Sequence, residues 1–358
     1  MSENYTFNFD EYIRQSEPDK QKKGYAWQTA IGLQDVDGLK PSEYLIETAK
    51  KNIDGDITIE EANELIHSYY KSKTTRHDIE NRTEEADKVS ARIAQILSED
   101  AFVFSPSQLI SIHRRLFDGI YEFAGIIRDY NISKQEWVLN GRSVVYAGAD
   151  TIKETLDYDF DLERSFDYKR LSVDETISHI TEFIANLWQI HPFGEGNTRT
   201  TAVFTIKYLR SLGFEVSNTL FADNSWYFRN ALVRANYADI QKGVYEDKSF
   251  LKKFFGNLIL SERNKLKNRY LIIEADYSPT KKNGDKEKIG DKKSAINLKT
   301  KQAILSFMKG KEFVKASEVA EAISLKPSRT RDYLSELVKE GRIITEGSNR
   351  NRTYKLKK

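Results

Sequence analysis

Two apolar helical stretches, Ile177–Ile190 and Thr200–Leu212, joined by nine mostly polar residues, constrain this chain more than any other feature. The first is interrupted by His179 and Glu182. It is too short to cross a bilayer, which takes about 20 apolar residues. Both stretches therefore belong in a protein core, and that core is expected to be largely helical. Hydrophobic residues make up 39% of the 358 and charged residues 31%, enough apolar content for a core and too much for wholesale disorder. The chain has no cysteine, which excludes a disulfide framework, thiolate zinc and a cysteine nucleophile. The N-terminus is polar and has no apolar signal segment, so the expectation is a soluble, cytoplasmic protein with no membrane partner.

The net charge of +2 conceals an uneven distribution. From Tyr277 onward there are 21 basic and 10 acidic residues, against 35 and 44 before it, so a tail of +11 follows a body of −9. A basic tail suggests a second function, with nucleic acid or an acidic protein surface as partner.

Residues 1–24 are charged and aperiodic and read as a loose arm. Residues 25–72 read as a three-helix unit: Trp27, Ile31 and Leu33 lie near helical spacing, Ser42 is placed to cap a second helix, and Thr58-Ile59-Glu60-Glu61 is a capping-box pattern. A unit this small lacks the area for an independent core and is expected to rest on the body. The body, 73–276, opens with a charged helix from Thr74 to Leu97, then a helix from Ser105-Pro106. Trp137-Val138-Leu139, Asn140-Gly141 and Arg142 to Tyr146 read as a β-hairpin, because Asn-Gly between β-branched runs supplies two positive-φ positions. Residues 277–297, rich in Lys and Gly, read as a linker. Residues 298–358 carry three helical patterns, then strand, turn and strand, a winged-helix-like order. There Arg329 and Arg331, in the first turn of the recognition-helix pattern, and Arg350 and Arg352, at the tip between strands, are the candidate DNA contacts.

Chemistry concentrates in His191-Pro192-Phe193-Gly194-Glu195-Gly196-Asn197-Thr198-Arg199. The segment ends at a helix N-terminus, where unpaired backbone N–H groups attract anions. Arg199 adds a bidentate phosphate donor, Glu195 a hard carboxylate suited to Mg²⁺, and His191 a base that titrates near neutrality. No HExxH spacing and no third ligand supports zinc. Base, carboxylate, anion nest and guanidinium together point to work on a nucleotide phosphate.

This segment resembles the core motif of the Fic family, HxFx(D/E)GNxRxxR, and the resemblance runs from about Ser105 to Gly213, including Glu122 to Arg128, similar to the family's FAGxxR stretch. The resemblance implies a mainly α fold: a Fic-type helical bundle carrying a β-hairpin flap, here followed by the winged helix. It implies a protein adenylyltransferase, moving AMP from ATP with Mg²⁺ onto a Ser, Thr or Tyr hydroxyl of a target protein, itself included. By that resemblance His191 is the base, Glu195 the Mg²⁺ ligand, and Gly194, Glu195, Gly196, Asn197, Thr198, Arg199 and Asn236 bind nucleotide. The flap residues Trp137, Val138, Leu139, Val144, Val145 and Tyr146 would pair with the target backbone. Two positions depart from the pattern: Ala202 replaces the second Arg and Thr198 a Gly.

Residues 32–41 resemble a VbhA-type antitoxin module, the inhibitory partner of Fic enzymes. Asp37 falls at its inhibitory Glu position, and Ala202 removes the Arg that such an acid meets. The expectation is that the Glu–Arg lock is absent and that inhibition through Asp37 is steric or different in detail. Two other readings stay open: a DNA-binding regulator with a nucleotide-sensing, non-catalytic Fic body, and a Fic enzyme moving another phosphate-bearing group.

Overall fold

The computed structural model describes residues 18–72, 78–216, 219–273 and part of 301–357. The chain divides into two compact units, Met1–Pro279 and Thr280–Lys358.

Helices of the first unit are α1 (Pro18–Gly32), α2 (Glu43–Asp54), α3 (Ile59–Lys71), α4 (Asp78–Ser98), α5 (Pro106–Phe117), α6 (Ile152–Ser165), α7 (Val173–Ile190), α8 (Asn197–Ser211), α9 (Leu220–Ala235) and α10 (Ser249–Leu260). Their starts follow side-chain chemistry. Ser42 accepts from the Leu45 N–H, Thr58 and Glu61 close the capping box at α3, and Ser105 accepts from Gln108 N–H ahead of Pro106. A second capping box, Ser172 with Glu175, opens α7. Every residue of α8 from Asn197 to Leu209 is buried, which makes it the central helix. Phe104, Phe160, Phe183 and Phe204 interlock beside it at centroid distances of 4.8 to 6.0 Å.

The N-terminal helices share this core. Trp27, Leu33, Leu45 and Ile66 are fully buried in one continuous apolar cluster with α7 to α10. α1 begins at Pro18, so residues 18–24 are helix rather than loose arm: Pro fits the first turn, and Gly24 and Ala26 are already buried. At Gly32 the backbones of α1 and α9 approach so closely that a Cβ would sit 2.3 Å from Ala222 Cα.

The expected β-hairpin does not form. Asn140 and Gly141 do adopt positive φ, at 52° and 82°, but they close a 3₁₀ turn over Trp137–Leu139, and the flanks share only the isolated bridge Glu136–Arg142. The cause is tertiary. Val138 and Leu139 are drawn into the core, and the Val138 carbonyl and the Asn140 side chain bind Ile273. Ile273 N–H donates to Val138 O at 2.9 Å, and Asn140 Nδ2 donates to Ile273 O at 2.7 Å.

The second unit contains β1 (Val314–Lys315), α11 (Ala316–Ala322), β2 (Ile343–Glu346) and β3 (Thr353–Leu356). The sheet is antiparallel in the order β1-β3-β2, with Tyr354 opposite both Val314 and Thr345. Its own core includes Ile304, Met308, Val319, Leu334 and Leu337. The two expected strands correspond to β2 and β3, and the turn between them lies outside the described residues. Arg352 is exposed beside β3, while Arg329, Arg331, Arg350 and the linker 277–297 lie outside the described residues. Among the described residues, no helix is long and apolar enough to cross a membrane.

Candidate active site

His191 ends α7 in a left-handed conformation, φ 50°, so the chain turns sharply there and re-enters the core as α8. Four carbonyls, two of them at this turn, converge on the Arg128 guanidinium. Its Nε donates to His191 O at 2.8 Å and its other nitrogens to Ala147, Tyr130 and Ile190 carbonyls. Asn197 clamps the loop in both directions, accepting from Phe193 N–H at 3.0 Å and donating to Phe193 O at 2.7 Å. Gly196 has φ 76°, and a Cβ there would fall 2.3 Å from the Phe117 ring. Gly194 faces Tyr130 and Phe123, a Cβ meeting the tyrosine oxygen at 2.7 Å.

His113, which the sequence reading did not single out, supports the loop from below. Its Nδ1 accepts from Gly125 N–H at 2.8 Å, which leaves Nε2–H to donate to Glu195 O at 3.0 Å, and its ring stacks on Phe193. Burial lowers its pKa to about 4, so it stays neutral in that tautomer.

The His191 ring is 3% exposed, with Tyr146 4.2 Å away and Trp188 edge-on. Nδ1 faces Trp188 O at 3.3 Å, a pairing that requires the proton on Nδ1, and buried Nε2 has no hydrogen-bond partner. Burial first, then Lys134, Arg128 and Arg229, push its pKa well below the ordinary histidine value, overriding the Trp188 hydrogen bond. The ring is a neutral base with one free lone pair.

Arg199 is 1% exposed and fully engaged. Its Nε lies 2.8 Å from Asp37 Oδ2, its NH2 donates to Glu85 at 2.7 Å and Tyr121 at 3.2 Å, its NH1 donates to Gln34 at 3.1 Å, and Phe117 covers one face. Burial disfavours its charge, but Asp37, Tyr121 and Glu85 outweigh this and raise its pKa. Asp37 therefore meets an arginine. The partner is Arg199 rather than position 202, where Ala202 is fully buried.

Asp37 and Arg199 form one wall of a cleft of about 800 Å³ that also includes Glu195, Lys134, Arg82, Trp226 and Arg229. Glu195 pairs with Lys134 at 2.9 Å and is half-exposed. Arg229 meets both oxygens of buried Glu136, at 2.7 and 3.2 Å, and lies over Trp226. Among the described residues no group of three or more metal-ligating side chains occurs. The half-exposed Glu195 carboxylate in this cleft still fits Mg²⁺, which takes few protein ligands beside substrate oxygens.

The fold thus brings His191, Gly194, Glu195, Gly196, Asn197, Thr198 and Arg199 into one loop, with Thr198 Oγ1 accepting from Trp188 Nε1 at 3.0 Å. Asn236 stands apart. It is buried at the end of α9, donating to Ala185 and Leu232 carbonyls at 3.0 Å each, and does not line the cleft. Of the flap residues, Val138, Leu139, Val144 and Tyr146 are buried, while Trp137 and Val145 are exposed. Gln34, Glu85, Tyr121 and Lys134 were missed because each is an ordinary polar residue in its own segment and acquires meaning only through its partner.

A protein adenylyltransferase of Bartonella henselae is 26% identical over 223 residues, 55% of this chain. The chain spans about two fifths of that relative's length (41%). Two solved structures are similar over about half of this chain. One is the N-terminal FIC domain of the Bep8 protein of Bartonella sp. 1-1C, 21% identical, covering 52% of this chain and 88% of that one, TM-score 0.40. The other is the N-terminal Fic domain of a cell filamentation protein of Bartonella quintana with bound ADP, 21% identical, covering 54% and 94%, TM-score 0.39. Over residues 103–209, the segment holding His191, Glu195 and Arg199, the chain matches the Fic/DOC family.

Proposed function

We propose that this chain is a Fic-type nucleotidyltransferase that moves AMP from ATP to a Ser, Thr or Tyr hydroxyl of a target protein in the cytoplasm. The observation that carries the reading is His191: a buried, neutral imidazole with Nε2 unpaired, on the same rigid turn as Glu195 and Arg199. The relative 26% identical over 223 residues is itself called a protein adenylyltransferase.

In this mechanism the target hydroxyl gives its proton to His191 Nε2 as its oxygen attacks the α-phosphorus. The bond to the bridging oxygen breaks, and pyrophosphate leaves with its electron pair. Arg199 meets the β-phosphate through Nε once Asp37 is displaced, its other nitrogens staying on Gln34, Glu85 and Tyr121. Glu195 would hold Mg²⁺, which neutralises phosphate charge when bound. Trp137 and Val145, exposed beside the site, supply apolar contact for the target segment. In this reading Asp37 restrains the enzyme: its carboxylate occupies Arg199 Nε, so phosphate has to displace it.

Incubation with Mg²⁺ and α-labelled ATP tests the reading. Label on protein is expected from the wild type, none from His191→Ala, and more from Asp37→Asn. Label transferred by His191→Ala overturns the mechanism. A salt-dependent gel shift lost on Arg352→Ala would assign a nucleic-acid role to the second unit.

A further inference from the structure

Arg199 is the cation that α8 contributes to the cleft, because position 202 holds a buried alanine; its NH1 and NH2 are hydrogen-bonded and its Nε lies 2.8 Å from the Asp37 carboxylate. The cleft's other cations are Arg82, Lys134 and Arg229. Arg82 donates to the Asp37 and Gly38 carbonyls at 3.0 and 3.3 Å. Arg229 is held by both oxygens of buried Glu136. Lys134 differs: its ammonium pairs only with the half-exposed Glu195, a pairing that opens at little cost. Its backbone N–H donates to Ser143 Oγ at 3.1 Å, which fixes the segment from which the side chain enters the cleft. Lys134, with Arg128 and Arg229, adds to burial in lowering the pKa of His191.

We propose that Lys134 is a catalytic residue whose ammonium contacts the phosphoryl group being transferred. The proposal rests on the nucleotidyl-transfer reading above. As the hydroxyl oxygen bonds to the α-phosphorus and the bridging oxygen departs with pyrophosphate, the non-bridging oxygens carry charge between the base and Glu195. Lys134 is the cation bonded to Glu195 and lines the same cleft as Arg199. A mobile ammonium placed there stabilises that charge without a guanidinium at position 202.

The test uses the full chain as wild type, Lys134→Gln and Lys134→Arg, titrated calorimetrically with AMP and with adenosine, then assayed with α-labelled ATP. Lys134→Gln is expected to weaken AMP binding about tenfold or more and leave adenosine binding unchanged. Transfer is expected to fall about a hundredfold, with partial recovery in Lys134→Arg. Unchanged AMP affinity in Lys134→Gln overturns the proposal, and so does a parallel loss of AMP and adenosine, which marks a structural role. A wild type that binds AMP through Lys134 but labels no protein supports the phosphate contact and overturns the transfer reading. A wild type that binds neither AMP nor adenosine overturns both.

Discussion

The Asp37 carboxylate lies 2.8 Å from Nε of Arg199, 162 positions away in the chain, and helps close a guanidinium that Glu85, Gln34 and Tyr121 hold on its other edges. Asp37 keeps about a third of its side-chain surface exposed at 34%, whereas Glu85 keeps 18% and Arg199 1%. The outermost partner is therefore the displaceable one.

Asp37→Asn removes the competing charge and retains shape. Nucleotide affinity and transfer rate are expected to rise up to about fivefold, since the partly exposed pair that phosphate has to break is worth about 1 kcal/mol or less. Thermal stability is expected to change by about 1 kcal/mol or less, because a partly exposed ion pair contributes little. Unchanged nucleotide affinity in this variant removes Asp37 from regulation.

Removing the N-terminal helices is a different experiment. Trp27 is fully buried and its Nε1 donates to Asn52 at 2.9 Å. Trp27→Ala is expected to cost about 3–5 kcal/mol in denaturant unfolding. A chain lacking residues 18–72 is expected to aggregate rather than become active, because α4 and α9 lose their apolar cover. A soluble, cooperative truncation would contradict the shared core.

The buried histidines set an acid limit. The pKa of His113, about 4, lies below its unfolded value of 6.5, so the unfolded chain binds the extra proton first. Stability is therefore expected to be flat above pH 6.5 and to fall as pH drops from there toward 4, by up to about 3 kcal/mol from this residue. His191 adds in the same direction. His113→Gln is expected to flatten the acid side of the melting-temperature profile, and an unchanged profile would refute the assignment.

Gly196→Ala places a Cβ 2.3 Å from Phe117 at a φ of 76°. A loss of about 2–3 kcal/mol is expected, together with loss of activity, since the turn that places Glu195 and Arg199 has to shift. A stable, fully active variant would show the loop to be pliable.

Much of this was readable in the chain. Ser42, Thr58 and Ser105 announced their helices, because a cap needs only residues within one turn of each other. The loop His191–Arg199 announced its chemistry, because its groups lie within nine positions. The Asn140-Gly141 turn was also local, and its positive φ values appeared, but whether strands flank it depended on Ile273, more than a hundred residues away. Asn236 looked like a pocket residue and serves instead as a buried tie between α9 and α7, a role set by the Ala185 carbonyl.

The sequence alone determined the helical class, the capping sites and the content of the His191–Arg199 loop, because these follow from spacing and from chemistry between near neighbours. Only the tertiary structure decided that the N-terminal helices are part of the core, that Asp37 pairs with Arg199, and that Lys134 reaches Glu195. Each of these is a contact between distant positions, and a polar side chain carries no mark of its partner until burial brings the two together and makes leaving either one unpaired costly.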